Sequence, residues 1–137
     1  MKCLGLDLGS KTLGLATSDK LGVIASPYKT IRYDNMESLI DEVIDLIDEL
    51  KIEVLVLGYP KNMNNSTGES VERVLKFKNM LEEKSNMEVV LIDERLSTVE
   101  AEKYLLDEDK SRSSRKKIID AVAASIILDT YLRKEGK

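Results

Sequence analysis

The chain contains no histidine and no tryptophan, and its 137 residues include one cysteine, one phenylalanine and two prolines. Each scarcity closes off some chemistry. Without histidine there is no Ser-His-Asp or Cys-His catalytic pair and no His-ligated zinc site. Any bound metal must therefore be held by oxygen ligands, which suit Mg²⁺ or Mn²⁺. The lone thiol, Cys3, cannot form an internal disulfide, and its place in the apolar run Lys2-Cys3-Leu4-Gly5-Leu6 reads as core packing. An aromatic content of 4% leaves little for base stacking, so any nucleic acid would be recognised by backbone and shape. No apolar run approaches the roughly 18 residues that a membrane span needs, and the N-terminus shows no basic-then-apolar leader. The expected location is cytoplasmic, with no membrane partner.

What the chain does have is aliphatic bulk and charge. A composition of 42% hydrophobic and 34% charged residues belongs to a folded globular protein, and the length supports a core without staples. The formal charge of −4 argues only weakly against nucleic-acid binding, because a local basic patch outweighs the sum.

Residues 2–8, 12–18 and about 22–32 read as three strands joined by turns at 9–11 and 19–22. Pro27 suggests that the third strand lies at an edge, since proline donates no ladder bond. Leu39, Ile40, Val43, Ile44, Ile47 and Leu50 recur at helical spacing behind a capping-box-like start, Asp34-Asn35-Met36-Glu37. The continuous apolar run from 52 to 57 has the length of a strand covered on both faces. A polar loop from Gly58 to about Thr67 precedes a second helix marked by Val71, Val74, Leu75 and Leu81. Val89 to Ile92 is a further buried-type strand, and Ser97-Thr98-Val99-Glu100 opens a short third helix. The charged stretch from Asp107 to Lys117 leads into a last helix with Ile118, Ile119, Val122, Ile126 and Ile127. The order β-β-β-α-β-α-β-α-α predicts an α/β domain: a mixed sheet with helices packed on it.

The most informative stretch runs from Asp7 to Asp19, Asp7-Leu8-Gly9-Ser10-Lys11-Thr12-Leu13-Gly14-Leu15-Ala16-Thr17-Ser18-Asp19. Alternation puts Leu4, Leu6 and Leu8 on one face of the first strand and Cys3, Gly5 and Asp7 on the other. Asp7 therefore ends a strand beside small residues, with Gly9 and Gly14 leaving room for something bulky against the backbone. A carboxylate at the edge of a hydrophobic sheet costs free energy unless a cation or hydrogen bonds compensate it. In open α/β sheets ligands gather at the carboxyl ends of strands, where Asp7 and the pair Asp93-Glu94 both fall. Parity does not choose between Asp93 and Glu94, because Val89 and Leu91 are as apolar as Val90 and Ile92. Asp120 is a third acid, set among Ile119, Ala121, Ala123, Ala124 and Ile127 where small residues permit close approach to the sheet. Three acids brought together could hold divalent ions that activate water and stabilise the leaving oxygen of a phosphodiester, chemistry that needs no histidine.

Four motifs in order resemble the YqgF/RuvX family of Holliday-junction resolvases, also described as pre-16S rRNA nucleases. They are the opening from Asp7 to Asp19, the strand end Gly58-Tyr59-Pro60 with its loop to Gly68, Asp93-Glu94-Arg95-Leu96-Ser97-Thr98, and Asp120 before Ala123-Ala124. The departures are Thr12 where the family commonly has Arg, Tyr59 for Leu, and Asn65 where Gly is frequent. The resemblance implies a single RNase H-like domain over 1–137: a five-stranded mixed sheet, a three-strand antiparallel meander followed by parallel strands, flanked by helices. It implies a metal-dependent nuclease with Asp7, Glu94 and Asp120 as catalytic metal ligands, Asp93 being the alternative to Glu94, and Mg²⁺ or Mn²⁺ as cofactor. RuvC-type resolvases place an acid at the end of the strand after the first helix; here Gly58 stands there, so the second acid falls to Asp93-Glu94.

Lys110, Arg112, Arg115, Lys116 and Lys117 form the densest basic run, just before Asp120. Cations beside an acidic centre suit a polyanion, because they hold phosphates that the carboxylates repel. Lys11, Lys61 and Arg95 are further phosphate candidates near strand ends. The expected substrate is structured RNA, first the 16S rRNA precursor, with a four-way DNA junction second. Two other readings compete: a phosphotransferase of the actin and sugar-kinase type, which also opens with Asp-x-Gly, and a non-catalytic nucleic-acid-binding factor. Either a monomer or a homodimer is compatible with the sequence.

Overall fold

The computed structural model describes residues 1–59, 68–93 and 112–134. Its five strands are β1 (Cys3–Leu8), β2 (Thr12–Ser18), β3 (Ala25–Arg32), β4 (Val54–Tyr59) and β5 (Val89–Asp93). They form one sheet in the order β3-β2-β1-β4-β5. The β1–β2 and β2–β3 pairs are antiparallel, whereas β4 lies parallel to β1 and β5 parallel to β4. Among the described residues three helices accompany it: α1 (Met36–Leu50), α2 (Gly68–Ser85) and α3 (Arg112–Lys134). The expected meander-then-parallel sheet is present, and Pro27 sits on the edge strand β3 next to a register shift at Leu15/Ala16. The helix expected to open at Ser97 lies outside the described residues.

Several boundaries differ from the sequence reading: α3 opens at Arg112, within the charged stretch expected to precede it, and two strand starts move for a local reason. β3 begins at Ala25 rather than near 22, because the carboxylate of Asp19 accepts from the amides of Val23 (2.8 Å) and Ile24 (3.0 Å). Those bonds hold 19–24 as a turn and keep it out of the ladder. β4 begins at Val54 rather than Ile52, because Ile52 closes α1: its amide donates to the Ile47 carbonyl (3.0 Å) behind the left-handed Lys51. The other end of α1 follows the sequence, with the Asn35 side chain capping the Ser38 amide at 2.8 Å. Gly58 and Tyr59, expected to start a loop, are strand residues paired with Ile92 and Asp93.

The sheet is covered on both faces by unlike layers. On one face Leu4, Leu6, Leu8, Leu13, Leu15, Leu55 and Leu57 meet α1 and α2 through Leu39, Ile40, Val43, Val74, Phe77 and Leu81. Each large side chain fully buried there contributes about 1.5–3 kcal/mol relative to exposure, so this layer carries most of the hydrophobic stabilisation. On the other face Cys3, Ala16, Val56 and Ile92 meet α3 through Ala124, Ile127, Leu128, Tyr131 and Leu132. Small residues here exchange bulk for proximity between helix and sheet. Cys3 is fully buried, as expected for packing, and burial pushes its thiol pKa up. No helix among the described residues is long and apolar enough to cross a membrane.

Glu82 ties α2 to β5. Its carboxylate accepts from the Val89 amide (2.9 Å) and pairs with Lys78 (3.0 Å). The Val89 hydrogen bond first, then Lys78, holds its pKa below the usual value near 4.5. A carboxyl group depressed in the folded state stabilises fully above its unfolded pKa and loses that contribution as pH falls through the folded one. Stability should therefore decline on acidification below about 4.5, and Glu82→Gln should flatten that limb. Urea midpoints of both proteins between pH 7 and pH 3 measure it; parallel curves would exclude the linkage.

Candidate active site

The site is built on the α3 face at the carboxyl end of β1. Because strand residues alternate, Asp7 shares this face with Gly5 and the buried Cys3, while its neighbours Leu6 and Leu8 enter the opposite core. Directly across the antiparallel pair from Asp7 stands Gly14. Opposed residues in such a pair have Cα atoms about 5 Å apart and side chains on the same face.

Gly14 decides what lies beside Asp7. A Cβ at this position would come within 2.0 Å of the Asp120 carbonyl oxygen and 3.0 Å of the Asp120 Cβ. Only glycine lets the backbone of α3 rest on β2 here. The same device recurs lower on β1, where a Cβ on Gly5 would meet Leu128 Cβ at 2.8 Å and the Ala124 oxygen at 2.9 Å. The room that the sequence shows around Asp7 is thus filled by the last helix. Its occupation brings Asp120 to the β2 side of Asp7. Both acids are half-buried.

A hydrogen bond sets the orientation of Asp120. The Thr12 hydroxyl donates to its Oδ2 at 2.9 Å, across 108 residues of sequence. Thr12 lies two residues from Gly14 on the same face of β2. The β1–β2 turn is closed by the Gly9 amide donating to the Thr12 carbonyl at 2.8 Å. From outside, Tyr33 grips that turn: its amide donates to the Lys11 carbonyl (3.0 Å) and its hydroxyl to the Gly9 carbonyl. Desolvation raises the Tyr33 pKa, so the phenol stays a donor at neutral pH.

On β5 the side-chain parity, ambiguous in the sequence, is resolved. Val89 and Leu91 join the α1/α2 core, while Val90 and Ile92 face α3. Even-numbered positions of β5 therefore share the face of Asp7. Of the expected site residues, Asp7 and Asp120 are brought together. Lys11 is exposed in the β1–β2 turn beside them. Arg112, Arg115, Lys116 and Lys117 belong to the N-terminal turns of α3, which lead into Asp120. Glu94, Arg95, Lys61 and Lys110 lie outside the described residues, and among those described no three His, Cys, Asp or Glu side chains gather as a metal site. Thr12, Gly14 and Tyr33 were not among the expected site residues. Alternation alone places Thr12 and Gly14 on one face of their strand, but nothing in the sequence joins that face to Asp120 or Tyr33 to the turn.

Residues 1–134 match the RuvX family, described as Holliday junction resolvase. The chain belongs to the RuvX family. A relative from Clostridium kluyveri, named "Putative pre-16S rRNA nuclease", is 47% identical over 137 residues, covering 100% of both chains. Among solved structures, Thermus thermophilus RuvC in complex with a Holliday junction substrate aligns with a TM-score of 0.65 at 15% identity, covering 99% of this chain and 97% of that one. The fowlpox virus resolvase in its junction DNA complex gives 0.57 at 16% identity, with 100% of both chains covered. These likenesses show that the fold is RNase H-like.

Proposed function

We propose that this chain is a divalent-metal-dependent endonuclease that hydrolyses phosphodiester bonds of structured nucleic acid, with the 5′ end of the 16S rRNA precursor as its substrate. The observation that carries the reading is the seating of Asp120 on Gly14, opposite Asp7, which puts two half-buried carboxylates at one strand end. The names of relatives identical at 44–49% across nearly the whole chain support the RNA substrate.

Carboxylate oxygens alone form a hard donor set that fits Mg²⁺ or Mn²⁺. Asp7 and Asp120 would hold the ion, with Glu94 as the third ligand that the family resemblance implies and Asp93 as its alternative. When bound, such an ion lowers the pKa of water and neutralises charge on the phosphodiester. The chain's own contribution is placement. β1 fixes Asp7, the glycine contact fixes α3, and the two acids repel any phosphate that arrives without a cation. Lys11 in the β1–β2 turn and the basic N-terminal turns of α3 supply that attraction, with Lys61, Arg95 and Lys110 as further contacts. Backbone phosphates rather than bases would carry recognition.

A four-way DNA junction is the second reading, favoured by the family's description as a resolvase. Both are tested together by incubating the protein with precursor 16S RNA fragments and with four-way DNA junctions, in Mg²⁺, in Mn²⁺ and in EDTA. Metal-dependent cutting of the RNA at its 5′ side is the expected result. Cutting of junctions alone would move the substrate to DNA. Binding without cutting of either would overturn the assignment in favour of a binding factor.

A further inference from the structure

We infer that Thr12 is a positioning residue that orients the Asp120 carboxylate for the divalent ion, an inference that rests on the reading of Asp120 as a metal ligand. Three features of the geometry support it. First, the 2.9 Å bond runs from a neutral hydroxyl to a carboxylate oxygen. A charge-assisted bond of this kind is strong enough to select one carboxylate orientation. It does so without cancelling the negative charge, which a lysine or arginine in the same place would do. Second, the donor is stiff. Threonine is branched at Cβ, and this one opens β2 in register with Arg32 of β3. Third, the turn that presents it is held from both sides. The Gly9 amide bonds to the Thr12 carbonyl at 2.8 Å, and Tyr33 fixes Lys11 and Gly9 from β3's end. A Cβ on Gly9 would lie 3.4 Å from both the Thr12 carbonyl and its Oγ1, so Gly9 stands directly beside the donor.

Asp120 sits on a helix while the other described acid sits on a strand, so motion of α3 against the sheet would change the distance between them. The Thr12 hydroxyl links those two bodies at the ligand itself. Outer partners of metal ligands act in this way on both affinity and turnover.

The test compares wild type, Thr12→Val, Thr12→Ala and Thr12→Ser as full-length proteins. Three quantities are read: Mn²⁺ affinity without substrate, kcat and KM for the cleaved substrate, and the thermal midpoint of the metal-free protein. Valine keeps the shape and loses the donor; alanine serves if valine does not fold. Both donor-less variants should bind Mn²⁺ about 10-fold more weakly and lose about 10-fold in kcat, with KM within about twofold, while serine restores both to within about threefold of wild type. A lower metal-free midpoint with unchanged Mn²⁺ affinity would mean a mere tether between helix and strand and would overturn the proposal. So would failure of serine to restore. A wild type that binds Mn²⁺ but cuts nothing removes the nuclease reading, and the Mn²⁺ titration of the variants then decides the role of Thr12 alone. A wild type that binds no Mn²⁺ overturns both.

Discussion

Asp7→Asn is expected to reduce metal-dependent cleavage by about 100-fold or more, since losing even an outer partner of a bound metal costs up to about that factor. Asparagine keeps the size and one oxygen of the side chain but removes the charge that draws a divalent cation. The fold should survive. Asp7 lies at the end of β1 on the α3 face, and the leucines that anchor this strand, Leu4, Leu6 and Leu8, pack on the opposite side. The variant should therefore still melt cooperatively in the absence of metal. Activity would then fall while the fold is kept, which a generally damaging substitution does not do. Cleavage in Mg²⁺ and a thermal melt in EDTA on the same preparations measure both. Cutting by pure Asp7→Asn protein at the wild-type rate would remove Asp7 from the mechanism.

Gly14→Ala should do the reverse and damage the fold and the site together. Its methyl carbon would stand 2.0 Å from the Asp120 carbonyl oxygen and 2.4 Å from the carbonyl carbon. These are helix backbone atoms and cannot swing aside as a flexible side chain would. The helix must lift, and overpacking of this kind costs about 1–3 kcal/mol. The lift occurs at Asp120 itself and also strains its 2.9 Å bond from Thr12. Misplacing a reactive group by about 1 Å costs about 100-fold in rate, so cleavage should fall by that order even at temperatures where the variant remains folded. Gly68→Ala is the control, because a Cβ at Gly68 has nothing within 4 Å. Urea unfolding and cleavage rates for both variants give the answer. A Gly14→Ala protein as stable and as active as wild type would mean that α3 does not rest on β2 as described.

Much of this arrangement is legible in the residues alone, and the reason is periodicity. Alternation along 3–8 assigns each side chain to a face whatever the neighbours are, so the separation of Asp7 from Leu6 and Leu8 follows without any coordinates. Helical spacing from Leu39 to Leu50 likewise identifies the buried face of α1. Pro27 announces an edge strand because its nitrogen carries no hydrogen, and β3 is at the edge. The alanines of the last helix promise a close approach to the sheet, and Ala121, Ala123 and Ala124 are buried there.

Tertiary structure decided the rest, since these matters depend on contacts between residues far apart in the chain. Gly14 signals a close neighbour but cannot name it; the neighbour is Asp120, more than a hundred residues later. The parity of β5 is open in the sequence because both its faces are apolar, and only the packing of Val90 and Ile92 beneath α3 resolves it. The boundaries of β3 and β4 moved because side-chain and helix-closing hydrogen bonds at Asp19 and Ile52 competed with the ladder and won. The sequence by itself determined which acids this protein has to work with and which face of β1 Asp7 occupies, because those follow from local geometry. The three-dimensional fold alone decided that Asp120 sits across Gly14 from Asp7 and is held by Thr12, because that depends on two glycines letting a distant helix backbone touch the sheet.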